Sequence, residues 1–312
     1  MAVWRFIFSV PVLLAVALCG GKEARGDTEV RRIVSLAPTL TEVLFAIGAG
    51  DKVVGVTRYC DYPPQATTLP HIGGIVDPLY EKIVSLRPDM VVTLTEHGSV
   101  RRELERLRIP SLTFHHHDTS GIIQSISVLG ELTNHQDRAA TLAKSLRDAK
   151  ERTAHCVAGK PTPRVLVSVG GHASSGDLEK IFVAGKDTFY DELVTLAGGE
   201  NAYRGPEITY PSVSPEGIVM MNPDVIIDLL PTPTDDEHLA LLRKRWERLS
   251  IVPAVKHNRV VVFAEEVMVN PGPRFDRILS RFVQVIHPEL RCESTVDREG
   301  AASLSPSLER SE

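Results

Sequence analysis

One phrase occurs twice in this chain, once in each half. Glu81-Lys-Ile-Val-Ser-Leu-Arg-Pro88-Asp89-Met-Val-Val is answered by Glu216-Gly-Ile-Val-Met-Met-Asn-Pro223-Asp224-Val-Ile-Ile. The acid, the Ile-Val pair, the Pro-Asp turn and the apolar run fall at the same offsets. A shorter echo precedes each copy, Leu44-Phe-Ala-Ile-Gly-Ala-Gly-Asp51 against Leu193-Val-Thr-Leu-Ala-Gly-Gly-Glu200. Repetition on this scale points to two lobes of similar build, each presenting a carboxylate at the same structural place. Two lobes with a cleft between them make a binding device.

The pattern around the repeats is α/β. Apolar runs at Arg31–Ala37, Val53–Val56, Met90–Leu94 and Ser111–Phe114 read as strands, separated by helical periods after Pro38, over Glu81–Leu86 and over Val100–Leu107. Continuous apolar strands alternating with helices indicate a parallel sheet. Thr39 or Thr41 is expected to cap the helix after Pro38, with Glu42 in its first turn and Gly48-Ala-Gly50 at its end. From Ile122 to about Ala158 the period is helical, with a break at Thr133-Asn134. Its second part, Gln136–Val157, would measure ~33 Å at ~1.5 Å per residue. It reads as a rigid connector between the halves; the alternative is a long surface helix of one domain. Alternation resumes with strands at Arg164–Val169, Val225–Leu230 and Arg259–Phe263 and helices at Asp187–Leu196, Arg243–Leu249 and Pro273–Ile286. The expected division is an N-terminal lobe over 30–133, a connecting helix over 134–160 and a C-terminal lobe over 161–290.

The ends differ from the body. Arg5 precedes an apolar stretch from Phe6 to Leu18, shorter than the ~20 residues a membrane-spanning helix needs. It fits a signal peptide, with Ala15-Val16-Ala17 as a cleavage site, and residues 1–29 read as signal and tether. Val16-Ala17-Leu18-Cys19 also has the form of a lipobox, although Leu18 is larger than the residue usual before such a cysteine. The protein is thus expected to be exported, either freely soluble or anchored through Cys19. Residues 291–312 read as a disordered tail. A net charge of −5 and a pI near 6.1 argue against a nucleic-acid partner. Cys60, Cys156 and Cys292 leave room for one disulfide with its partners open.

Catalytic patterns are missing. His115-His116-His117 cannot all face one ion from a strand, because successive residues alternate sides. His115 and His117 could, with a third partner such as His97 or Asp118, and this leaves a metal-ion binder or sensor as a reading of another class. Gly170-Gly171-His172-Ala-Ser174 is not a nucleophile elbow. The glycine-rich spots lack a P-loop lysine, and no cofactor is implied. Glu81 and Glu216 each belong in a first helical turn, where the helix dipole favours a carboxylate. Two matched acids on two lobes would equally register a partner carrying paired basic groups.

Taken in order, Arg32-Ile-Val-Ser-Leu-Ala-Pro38-x-Leu-Thr41-Glu42, Val54-Gly-Val-Thr, Tyr59-Cys-Asp61-Tyr62-Pro63-Pro64-Gln-Ala66, Gly198-Gly-x-Asn201, Val213-Ser-x-Glu216, Asn222-Pro-Asp224 and Pro271-Gly-Pro273-Arg274 to His287-Pro288-Glu289 resemble the iron-siderophore and cobalamin class of periplasmic substrate-binding proteins of ABC importers. The resemblance spans residues 31–290, and the Tyr59–Ala66 stretch leans to the cobalamin (vitamin B12) branch. It implies two Rossmann-like α/β lobes joined by a single long helix (the class III fold), a ligand in the cleft and no enzymatic activity. Glu81 and Glu216 would dock onto arginines of a permease dimer in the membrane. Ala37, Pro38, Tyr59, Tyr210, Glu266 and Asn270 fall at ligand-lining positions, with Tyr210 where the family carries a pocket tryptophan. Asn270 stands where the cobalamin branch has a basic contact, and Ile75 near an expected aromatic. The ligand implied is a corrinoid, with haem or a ferric siderophore as the alternative. Arg58 and Arg204 are the candidate cations for an anionic siderophore.

Overall fold

The computed structural model describes residues 30–170, 178, 181–231 and 234–292. The segment read as a signal peptide, the lipobox-like stretch ending at Cys19, His172, Ser174 and the residues from 293 onward lie outside the described residues. The first half forms β1 (Ile33–Ser35), β2 (Val53–Val56), β3 (Met90–Leu94) and β4 (Ser111–Phe114), ordered β2-β1-β3-β4 in one parallel sheet. The second half forms β5 (Arg164–Val169), β6 (Ile181–Phe182), β7 (Glu200–Asn201), β8 (Ser212–Val213), β9 (Val225–Leu229) and β10 (Val260–Phe263). Four of these make a second parallel sheet, β10-β9-β5-β7, and β6 pairs with β8 in a small antiparallel ribbon. The two large sheets share one topology: the first strand of each lies inside, with the second strand on one side and the third and fourth on the other. β1, β2 and β9 are Val- and Ile-rich and almost wholly buried, as parallel strands covered on both faces must be, whereas β4 and β10 at the sheet edges are mostly half-buried.

The helices are α1 (Pro38–Ala46), α2 (Tyr80–Ser85), α3 (Gly98–Arg106), α4 (Thr119–Leu132), α5 (Gln136–Val157), α6 (Phe189–Leu196), α7 (Pro215–Met221), α8 (Asp236–Arg245), α9 (Pro253–Lys256) and α10 (Phe275–Ile286). α5 runs over the span its periodicity predicts and connects the two sheets. It buries Ala139, Ala143, Leu146, Ala149 and Thr153, a stripe at three- and four-residue spacing. Ala at these points permits close approach: a Cβ added to Gly130 of α4 would fall 2.4 Å from the Ala139 Cβ. The largest apolar cluster includes residues of both sheets and of α4, α5 and α10. A Cys156–Cys292 disulfide joins the end of α5 to the chain beyond α10, leaving Cys60 free and buried.

The repeated phrase is a clasp. α2 and α7 are each followed by a left-handed residue, Arg87 (φ 47°) and Asn222 (φ 49°), immediately before the proline. The next residue reaches back to the first strand of its sheet: Asp89 Oδ2 accepts from the Arg31 and Arg32 amides, both at 2.9 Å, and Asp224 Oδ2 accepts from the Arg164 amide at 2.8 Å. Arg32 and Arg164 return the contact, donating to carbonyls at the helix ends, those of Leu86 and Arg87 in one case and Asn222 in the other. The shorter echo marks the ends of α1 and α6. Gly48 (φ 87°) and Gly198 (φ 79°) take the left-handed conformation that closes a helix. The amides of Ala49 and Gly199 then reach the carbonyls of Leu44 and Val194. Leu44 therefore corresponds to Val194, one residue later than the sequence echo suggests.

Two expectations are corrected. The N-cap of α1 is Ala37, extended and without a side-chain cap, with Pro38 in the first turn. Thr41 Oγ1 bonds instead to the Ser35 hydroxyl and the Ala37 carbonyl, and Glu42 lies deeper in the helix, fully buried. The helix expected at Arg243–Leu249 begins earlier, at Asp236, where Asp235 accepts from the His238 amide at 2.8 Å. Leu239 and Leu242 pack below it, and Trp246–Leu249 tightens to a 3₁₀ turn.

Candidate functional site

Loops that follow β1, β3 and β4 meet residues of the second half across a cavity of about 350 Å³. Thr39, Leu94, Glu96, His116 and His117 line one wall; Thr188, Phe189, Thr209, Tyr210 and Pro271 line the other. Ligands of open α/β sheets bind beyond the carboxyl ends of the strands, so this is the candidate site. A larger cavity, about 620 Å³, lies between α1, α5, α10 and the Tyr62–Gln65 loop. It is lined by helix residues and that loop rather than by strand ends.

Tyr210 and Glu96 face one another from opposite lobes. Burial raises the Tyr210 phenol, and the Glu96 charge adds to the shift. His117 Nε2 lies 3.4 Å from a Glu96 oxygen. The His115 and His117 rings stand 6.3 Å apart, and among the described residues no three His, Cys, Asp or Glu side chains gather as metal ligands. The suggested third partners are engaged elsewhere: His97 Nδ1 pairs with Thr93 Oγ1 at 2.9 Å, and Asp118 caps α4 at the Gly121 amide. The pair His115/His117 thus gains no support as a metal site.

His116 forms the floor. Its Nε2 is 2.9 Å from Ser125 Oγ, whose own proton goes to the Ile122 carbonyl, so the ring donates there. Its Nδ1, 3.0 Å from Thr39 Oγ1, then accepts. Burial lowers its pKa to about 4, outweighing the nearby Pro271 carbonyl, which favours the charged ring. A neutral buried imidazole is a liability in acid. Protonation of the unfolded chain begins near the ordinary pKa of about 6.5, so stability should be level above that pH and fall by ~1.4 kcal/mol per unit towards pH 4, roughly 3 kcal/mol in all. Urea unfolding at pH 7, 5.5 and 4 should give a smaller acid loss for His116→Gln than for the wild type. Equal losses would refute this.

Beside the floor, the lobes are joined by an ionic cluster. Arg274 Nε and Nη2 donate to the two oxygens of Glu42 at 2.7 and 2.6 Å, across 232 residues of sequence. Nη2 also donates to Glu266 at 2.9 Å, and the guanidinium lies 3.8 Å from the centre of the Tyr62 ring. Glu266 accepts a second bond from Asn270. Burial raises the Glu42 pKa despite Arg274, and the pairing holds Arg274 charged.

The expected site residues therefore separate. Tyr210 lines the cavity. Pro38 adjoins it at the start of α1, while Ala37 is buried beneath. Tyr59 is half exposed with the Arg58 guanidinium 5.4 Å from its ring centre. Glu266 and Asn270 are bound into the Arg274 cluster. Glu81 and Glu216 stand exposed on α2 and α7, with the Ser214 hydroxyl lowering the Glu216 pKa. Sequence reasoning missed Glu96 and His116 as lining residues and the Glu42–Arg274 bond; both partners of that bond sit inside motifs it quoted.

The family model described as periplasmic binding protein matches residues 33–267. The chain is 30% identical to an uncharacterized ABC transporter substrate-binding lipoprotein, YvrC, of Bacillus subtilis, over 84% of this chain and 81% of that protein. It is 28% identical to a vitamin B12-binding protein of Vibrio parahaemolyticus, over 78% and 85%. Among solved structures, a periplasmic heme binding protein from Pseudomonas aeruginosa superposes with a TM-score of 0.74 at 24% identity, covering 86% of this chain and 96% of that one. The vitamin B12 binding protein BtuF of Vibrio cholerae gives 0.72 at 23%, covering 83% and 97%. These two likenesses speak for the fold, and the family match and the relatives for the lineage. The chain belongs to the periplasmic binding protein family, a class of solute-binding proteins, as a substrate-binding protein of an ABC importer.

Proposed function

We propose that this substrate-binding protein captures cobalamin or a related corrinoid in the cleft between its lobes and delivers it to a membrane permease. The observation that favours this ligand is charge. Among the described residues the cleft cavity contains Glu96 but no arginine or lysine. Arg58 is paired with Asp77, Arg204 with Glu200 and Arg274 with two glutamates. Among the described lining residues a ferric siderophore bearing negative charge would find no free cation, whereas cyanocobalamin carries no net charge. Phe189 and Tyr210 offer an apolar and aromatic wall for a macrocycle. The vitamin B12-binding relatives support the same choice. Glu81 and Glu216, on equivalent helices, would dock onto the permease, and the lipoprotein name of the Bacillus relative supports anchoring through Cys19.

Calorimetric titration of the mature protein with cyanocobalamin should give one-to-one binding, weakened roughly ten- to a hundred-fold by Tyr210→Ala, or about 1.4–2.7 kcal/mol. A paired Glu81→Gln/Glu216→Gln variant should keep that affinity and lose delivery. Absence of binding by the wild type would remove the corrinoid reading.

A second reading, haem, is favoured by His117 and Tyr210 on opposite walls, since imidazole and phenolate both ligate haem iron. Hemin would then produce a shifted Soret band that His117→Ala or Tyr210→Ala abolishes.

A further inference from the structure

We infer that Arg274 is the positioning residue of the cleft: it sets the spacing of the two lobes, and through that spacing the affinity for ligand, without touching the ligand. The inference rests on the cleft being the binding site. Arg274 belongs to the segment that leads into α10, yet its fork closes on Glu42 of α1 in the other lobe. Its side chain is 14% exposed and that of Glu42 only 2%. The same guanidinium holds Glu266 and lies on the Tyr62 ring, so it has one set of partners in each lobe. The segment around it is fitted to the opposite lobe. A Cβ placed on Gly272 would lie 3.5 Å from both Glu42 Oε2 and Thr39 Cβ, which is ordinary contact distance. Thr39 and Pro271, the neighbours of this joint, line the cleft cavity themselves. The floor of the binding site and the joint between the lobes are therefore one structure.

Without Arg274, two carboxylates would face each other with only the more distant charge of Arg277 acting on Glu42 to offset them, and Glu266 already disfavours the charged form of Glu42. Repulsion would open the joint where the ligand rests. The protein need not unfold, because a second tie lies elsewhere. Glu192 of α6 accepts from the Thr119 amide and hydroxyl of α4, both at 2.6 Å, and from Lys150 of α5 at 3.0 Å. Glu266 and Asn270, which stand at ligand positions by resemblance, would then act on the ligand only through Arg274.

The test uses the mature protein with spin labels on Lys82→Cys and Lys256→Cys, one in each lobe, and electron-resonance measurement of the distance between them. The wild type should give one narrow distribution. Arg274→Gln should broaden or displace it and weaken cyanocobalamin or hemin binding at least roughly ten-fold. Arg274→Lys, which keeps the charge but loses the two-pronged bond, should fall between. If Arg274→Gln lowers only the melting temperature and leaves distance and affinity as in the wild type, Arg274 is a structural residue and the inference fails. If the wild type binds neither probe, the ligand assignment fails while the distance measurement still decides the role of Arg274.

Discussion

Arg245→Ala is expected to destabilise the protein by about 3–5 kcal/mol, because it strands a charge in the interior. Asp228 is fully buried in β9, and Arg245 Nη2 meets its Oδ2 at 2.6 Å with 2% of the arginine side chain exposed. Trp246 Nε1 donates to the same oxygen at 2.9 Å. With the arginine gone, the carboxylate would keep one indole bond and no counter-charge. The intact pair is itself incompletely bonded: among the described residues Asp228 Oδ1, Arg245 Nε and Ser168 Oγ have no hydrogen-bond partner, and Ser168 is the register neighbour of Asp228. Exchanging the whole pair should therefore be far milder than breaking it. Asp228→Leu/Arg245→Met should lose only about 1–3 kcal/mol, mainly from the Trp246 indole left without an acceptor. Urea denaturation of the single and double variants measures both, and a loss below ~1 kcal/mol for Arg245→Ala would show that the interior there admits water.

The other large effect belongs to the disulfide. Cys156 and Cys292 are 136 residues apart, so the bridge removes a long loop from the unfolded ensemble. The chain-entropy relation gives about 5 kcal/mol for a loop of that size. For a chain of this length that corresponds to a fall in Tm of roughly 8 °C. Cys156→Ser/Cys292→Ser should show it by calorimetry. Ligand affinity should hardly change, since neither cysteine is among the cleft residues. A Tm within a few degrees of the wild type would mean that α10 and the end of α5 hold together by packing alone.

Local patterns in the sequence carried the fold well. Strand runs such as Val53–Val56 and the helix Gln136–Val157 depend on neighbours within a few residues, and these were readable. So was the Pro-Asp turn, since it recurs in both halves, although the bonds by which Asp89 and Asp224 hold the first strands were not. The site was less legible because its decisive contacts are long-range. Glu42 pairs with a residue 232 positions away, and nothing in a carboxylate's local sequence reveals that it will be buried. His116 was considered with its neighbours only as a possible metal ligand, yet the loop after β4 turns one imidazole inward and leaves the flanking two exposed. The expected N-cap threonines failed for a related reason: Thr39 and Thr41 sit beside stronger tertiary partners in His116 and Ser35.

The apolar cluster that passes through both lobes has a consequence for how such a protein comes into being. Leu40, Val43 and Ile126 belong to it together with Val167, Leu193 and Ile278, and the small side chains of α5 sit among them. A cut through α5 would expose greasy faces on both fragments, and α4 would lose the Glu192 carboxylate that caps it from the other lobe. Neither half is thus a self-sufficient folding unit, despite the repeat. During synthesis the first half must wait, incompletely closed, for the second to emerge, and a chaperone that shields it would be most needed in that interval.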